Sequence, residues 1–217
     1  GILNLSQIKG KNINYKIKAN KRYKVMIELN DTGYKFKKNN KIRISLSTSY
    51  WPMAWPLQSK FTLKIYLKNS SLVLPVKKEL NNYKSFQRPK NLEPIKNKIL
   101  IKPKRKREII NNLENNDKKY FVEDYFGKIK LINANLIMDN YTSQEYYLNE
   151  NDPLSARAEY NFKYNFNRTN WLINIDGKII LTCNKKFFFL NKHICIKHNF
   201  KIIYKINKNY KILRMGF

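Results

Sequence analysis

The sequence is short of acid. Fifteen Asp and Glu stand against 44 Lys and Arg, a formal net charge of +29 over 217 residues. It is also sparing with cysteine (two), histidine (two), glycine (six) and proline (seven). These scarcities exclude much chemistry. None of the glycines brackets a serine in a G-x-S-x-G elbow, and neither a G-x-x-x-x-G-K-[ST] phosphate loop nor a G-x-G-x-x-G fingerprint occurs. Both histidines, His193 and His198, lie among lysines in an alternating stretch, and nothing marks a serine within their reach as a triad nucleophile. The few carboxylates are too scattered to form an acid/base pair. Cys183…His193-x-Cys195-x-x-His198 fits no standard zinc spacing, and alternate positions along a strand account for it. No catalytic residue, metal or cofactor is expected from this chain. No apolar run approaches the roughly 20 residues of a membrane-spanning helix. No secretory signal is read at the start, so two free thiols suggest a reduced compartment, the cytoplasm. The opening Gly1-Ile2-Leu3-Asn4-Leu5 lacks an initiator Met and reads as a module cut from something longer.

What is present is a core. Hydrophobic residues make up 42% and aromatics 14%, spread along the whole length, which excludes general disorder. The positive charge is almost all lysine, with Arg at only eight positions, while Asn, Ile, Tyr and Phe are abundant too. These residues share A/T-rich codons, so compositional drift explains the charge better than selection for nucleic acid, whose readers favour arginine.

Period-two alternation dominates. It predicts strands around Tyr23–Asn30, Ile42–Thr48, Phe61–Lys68 and Leu72–Val76. Later runs span Lys128–Met138, Ala156–Phe166, Trp171–Cys183 and Phe200–Ile206. Turn signals separate them, and Asp176-Gly177 predicts a tight hairpin between Trp171–Ile175 and Lys178–Cys183. About ten short strands at this spacing imply an all-β sandwich or jelly roll. The one helix-like stretch, Lys104–Leu113, has weak periodicity. Residues 77–118 are polar and basic and read as a long loop. Within it, Lys104, Arg105, Lys106 and Arg107 are the candidate polyanion contacts.

The most unusual local feature is Ser47-Thr48-Ser49-Tyr50-Trp51-Pro52-Met53-Ala54-Trp55-Pro56. Each proline ends sheet pairing and holds its preceding residue extended. Tyr50, Trp51, Pro52, Trp55 and Pro56 therefore form either a plug at the end of the β-core or a docking or pocket-rim surface, since Trp and Tyr serve both uses.

These residues also carry a resemblance. Leu29-Asn30-Asp31-Thr32-Gly33-Tyr34-Lys35-Phe36, the run Asn40 to Pro56, Ser71-Leu72-Val73-Leu74-Pro75-Val76 with Lys77 where an Arg is usual, and Asn151-Asp152-Pro153-Leu154-Ser155-Ala156-Arg157-Ala158 follow one another in order. Together they resemble the C-terminal domain of the X-Pro dipeptidyl-peptidase and cocaine-esterase group of α/β-hydrolases. The resemblance implies a galactose-binding-like jelly roll, a single C-terminal module over residues 1–217. Its partner would be an α/β-hydrolase domain that lies N-terminal in such enzymes and supplies the Ser, Asp and His for peptide or ester acyl transfer. This chain would support that domain and carry no triad. The ending, Tyr204 to Arg214, departs from the W-x-R-x-I-P-R-like close usual in the group. The competing reading is a free-standing binding module, taking carbohydrate on the Trp-Pro loop or nucleic acid on the basic loop.

Overall fold

A computed structural model of the chain describes residues 1–5, 8–9, 15, 17–76 and 87–214. The fold is all-β. Eight strands are described: β1 (Asn97–Ile101), β2 (Lys104–Asn112), β3 (Asp117–Leu131), β4 (Leu136–Asn149), β5 (Asp152–Arg168), β6 (Trp171–Cys183), β7 (Phe187–His198) and β8 (Lys201–Leu213). They form one open antiparallel sheet, consistent with a layer of the expected sandwich. From β3 to β8 each strand pairs with the next, while β1 and β2 both pair with the outer side of β3.

The connections are short and use asparagine where the backbone must turn left. Asn116, Asn135 and Asn199 have φ of 60°, 46° and 46°, a conformation Asn tolerates better than most residues. The β7–β8 connection is Asn199-Phe200, with Phe200 also at a positive φ of 68°. A two-residue hairpin with both φ positive is built best by Asn-Gly. Phe200 is 79% exposed and has little packing to lose. Phe200→Gly is therefore expected to stabilise the protein by about 1 kcal/mol, read as a rise in Tm of about 3 °C. An unchanged or lower Tm would contradict this account of the turn.

Sheet register sorts the side chains by face. On β5, Ala156, Ala158, Tyr160, Phe162, Tyr164 and Phe166 alternate with Arg157, Glu159, Asn161, Lys163 and Asn165. Opposite the apolar set on β6 stand Leu181, Ile179, Gly177, Ile175 and Ile173. The apolar row continues on β7 as Leu190, Ile194 and Ile196. One face is thus aromatic and aliphatic, the other charged and amidic, as alternation dictates. The core is thin: among the described residues only Val122 (7% exposed) and Ala156 (1%) are buried apolar side chains. Accessible surface totals 19051 Å², against about 10,500 Å² for a compact monomer of this mass.

Several expectations need correction. Asp176-Gly177 is not a turn: β6 runs unbroken through it. Gly177 lies opposite Phe162, whose ring occupies the space a Cβ would need, so the glycine makes room for an aromatic ring. Lys128–Met138 is two strands, divided by a hairpin at 132–135. The long basic loop over 77–118 is not one loop. Residues 77–86 lie outside the described residues, and β1 and β2 occupy 97–101 and 104–112 of the remainder. Gly127, at φ 85° in a β3 bulge, allows the backbone of Ile101 and Pro103 to approach closely where β1 gives way to β2. No strand is assigned in Tyr23–Asn30, Ile42–Thr48, Phe61–Lys68 or Leu72–Val76, and Leu67–Asn69 is a short 3-10 turn. Alternation specifies which way side chains face, but a strand also requires a hydrogen-bonding neighbour, and these segments have none among the described residues.

Candidate functional site: an aromatic seam under the Trp-Pro loop

The Trp-Pro loop packs on the apolar face at one end of the sheet. Its local fold is a tight turn, in which the Ala54 amide donates to the Tyr50 carbonyl at 2.7 Å, with a cis Trp51-Pro52 bond. The turn brings the two indoles edge to face at 5.1 Å and 87°. Trp51 meets Tyr146 of β4 at 5.9 Å, and Trp55 meets Phe188 of β7 at 5.6 Å, both near perpendicular. Tyr120 of β3 stacks on Tyr146 at 6.2 Å. Edge-to-face pairing of this kind adds about 1 kcal/mol per pair beyond area burial.

Polar groups close the seam. The Trp55 indole N–H donates to Cys183 Sγ at 3.1 Å, and the thiol donates in turn to the Leu154 carbonyl at 3.7 Å. Arg214, just beyond β8, lays its guanidinium over the Phe188 ring at 4.8 Å. It donates to the carbonyls of Pro56 at 2.8 Å and Asn184 at 2.9 Å. Burial pushes the Arg214 pKa down from its usual value, with Cys183 acting in the opposite direction. A cation with its donors committed to two carbonyls and an aromatic face is a clamp. It ties the loop to the end of the sheet.

Of the five loop residues expected to act together, Trp51, Pro52, Trp55 and Pro56 are half-buried, whereas Tyr50 is 56% exposed and outside the ring contacts. Tyr120, Tyr146, Cys183, Phe188 and Arg214 were not anticipated. No local pattern singles them out, because they reach the loop only through sheet pairing.

The basic residues lie on β2, an edge strand, rather than in a loop. Arg107 makes a bidentate contact with Asp124 at 2.8 Å and donates to the Glu123 carbonyl at 2.8 Å. Arg105 stands 3.6 Å from the same carboxylate, and Lys106 pairs with Glu108 at 3.0 Å. Three of the four candidate polyanion contacts thus have acidic partners within the chain.

Elsewhere, Tyr160 and Tyr164 place their hydroxyls 3.3 Å apart on the apolar face. Burial and the neighbouring hydroxyl push the Tyr160 pKa up to about 12, so it stays protonated near neutrality. Cys183 and Cys195 lie on opposite faces, as do His193 and His198, by strand register. Among the described residues no three His, Cys, Asp or Glu side chains converge in a way that could hold a metal ion, and no helix is long and apolar enough to cross a membrane.

Fold and seam together define an all-β module with an aromatic clamp. Residues 1–108 match the family model of the X-Pro dipeptidyl-peptidase C-terminal non-catalytic domain, and over that stretch the chain belongs to this family. No curated protein and no solved structure matches the chain. The match takes in the Trp-Pro loop, β1 and the first part of β2, and stops before the Asn151–Ala158 stretch. That stretch turns from β4 into β5. Asp152 Oδ1 accepts from the Leu154 amide at 2.8 Å, and Ser155 Oγ accepts from the Asn149 amide at 2.8 Å.

Proposed function

We infer that this chain is the supporting, non-catalytic module of a serine hydrolase of the X-Pro dipeptidyl-peptidase type. In this reading residues 1–217 form one C-terminal unit, of the galactose-binding-like kind. A separate α/β-hydrolase domain performs the peptide or ester acyl transfer. The observation that carries the reading lies in the family-matching half. Its alternating segments expose their apolar rows, with Ile44 and Leu46 at 55% and 56% and Leu29, Ile42, Phe61, Leu63 and Ile65 similarly open. Exposed apolar rows on this scale are characteristic of an interface. A cognate domain that buries it supplies what the isolated chain lacks, and the Trp-Pro loop, fixed by the seam, becomes part of the support for that domain.

The test is reconstitution. The chain alone should not turn over an Ala-Pro-anilide or a simple aryl ester. Mixed with the hydrolase domain of an X-Pro dipeptidyl-peptidase, it should co-elute as a one-to-one complex and raise that domain's turnover or thermal stability. An adjacent or in-frame coding region with G-x-S-x-G followed by Asp and His would supply the cognate domain. Turnover by the chain alone, abolished by a serine-directed inhibitor, would overturn the reading. So would failure to bind the cognate domain.

A further inference from the structure

Among the described residues the two edges of the sheet are both open and both basic. Among the described residues β8 has β7 as its single neighbour, so alternate backbone N–H and C=O groups along its outer side meet no described strand. The strand reads Lys201-Ile202-Ile203-Tyr204-Lys205-Ile206-Asn207-Lys208-Asn209-Tyr210-Lys211-Ile212-Leu213, with four lysines and no acid. None of these lysines is in an ion pair of the described residues. Lys211 instead lies over the Phe187 ring at 4.2 Å.

Register makes the charge more specific. Lys208 stands directly opposite Lys192 of β7, flanked by the opposed pairs Ile194–Ile206 and Leu190–Tyr210. Two like charges face to face within an apolar row repel each other, and a carboxylate beside Lys208 on its outer side would offset part of that repulsion. On the other face Lys205 lies opposite Cys195, while Lys201 meets His198 at the turn, on the face of Lys208. The nearest acid in the Lys205 row, Asp176, is opposite Cys195 on β6, a strand further in.

We propose that the outer edge of β8 receives an extended acidic segment of a partner protein as a ninth strand, with carboxylates at the lysine positions and apolar residues between them. Backbone pairing supplies the affinity, as in β-augmentation generally, and the lysines set register and exclude other occupants. A second copy of this chain does not fit. β8 against β8 opposes lysine with lysine, and the far edge offers Lys104, Arg105, Lys106 and Arg107 against a single Glu108. The strand geometry and its charge pattern carry this proposal without the hydrolase reading, and its probe is a peptide rather than a hydrolase domain.

The test uses the full chain and fluorescent peptides of about ten residues, the upper end of ordinary strand length. One carries Glu at the positions that pair with Lys205, Lys208 and Lys211, with Ile and Val between them. A second scrambles the same composition, a third carries N-methyl groups along the edge that must pair, and a fourth replaces Glu by Lys. The first peptide is expected to bind at least about tenfold more tightly than the other three. Lys205→Glu with Lys208→Glu should cost it about tenfold and favour the Lys peptide, while circular dichroism remains unchanged. Equal binding of the scrambled or N-methylated peptide would reduce the effect to general polyanion attraction and overturn the proposal. Absence of binding would overturn it too, as would sedimentation showing that the chain self-associates through β8.

Discussion

Trp55→Ala is expected to destabilise the chain by about 3 kcal/mol and lower its Tm by about 10 °C. The indole fills the space between Trp51 and Phe188, and its N–H satisfies Cys183. Truncation removes two edge-to-face pairs and leaves the loop held at Pro56 by Arg214. Tyr50→Ala, at the first residue of the Trp-Pro turn, should change stability by less than about 0.5 kcal/mol, because that ring is exposed and unpaired in the seam. The contrast separates two uses of the same loop. A carbohydrate platform keeps its ring faces open, so replacing Trp55 would abolish sugar binding and leave Tm nearly unchanged. A structural plug gives the opposite result. An unaltered melting curve for Trp55→Ala would show that the seam is not holding the loop.

The sequence told two different stories at its two ends, and the physical reason is the same for both. In the C-terminal half, alternation coincided with pairing. Tyr160, Phe162, Tyr164 and Phe166 were legible as one face of a strand, and β5 and β6 place them there against Ile179, Gly177, Ile175 and Ile173. In the N-terminal half the alternation of Ile42, Ile44 and Leu46 is equally regular, yet no neighbour pairs with them among the described residues. Alternation records facing, and pairing is a non-local property that no window of one sequence contains. Asp176-Gly177 failed for a related reason. The dipeptide has turn chemistry, but an aromatic ring from β5 uses the missing Cβ, and that demand is invisible without the register. The Trp-Pro loop was legible as a special feature because Trp-Pro pairs are rare and stiff. Its clamp was not, since Arg214 reaches Pro56 across 158 positions of chain.

Below about pH 4.5 the chain is expected to lose stability that belongs to a single carboxylate. Glu159 lies on the polar face of β5, 12% exposed. Burial alone would raise its pKa. Hydrogen bonds from Lys178 and Arg157, both at 2.6 Å, and from Asn161 at 3.1 Å outweigh that effect and hold the carboxyl at about 2, against an ordinary 4.5. The folded pKa is the lower one, so the contribution is complete above the unfolded value and disappears as pH falls from about 4.5 towards 2. The full shift corresponds to roughly 3 kcal/mol, and about 2 kcal/mol remains after allowing for screening, because the Lys178 and Arg157 side chains are half exposed. Glu159→Gln keeps the shape and removes the charge. At pH 7 it should be less stable than the parent by about 2 kcal/mol in urea unfolding, and the difference should shrink steadily to near zero by about pH 2. Parallel acid limbs for parent and variant would mean that the cluster of Glu159, Arg157 and Lys178 does not govern the acid response, and that the loss belongs to carboxylates elsewhere on the sheet.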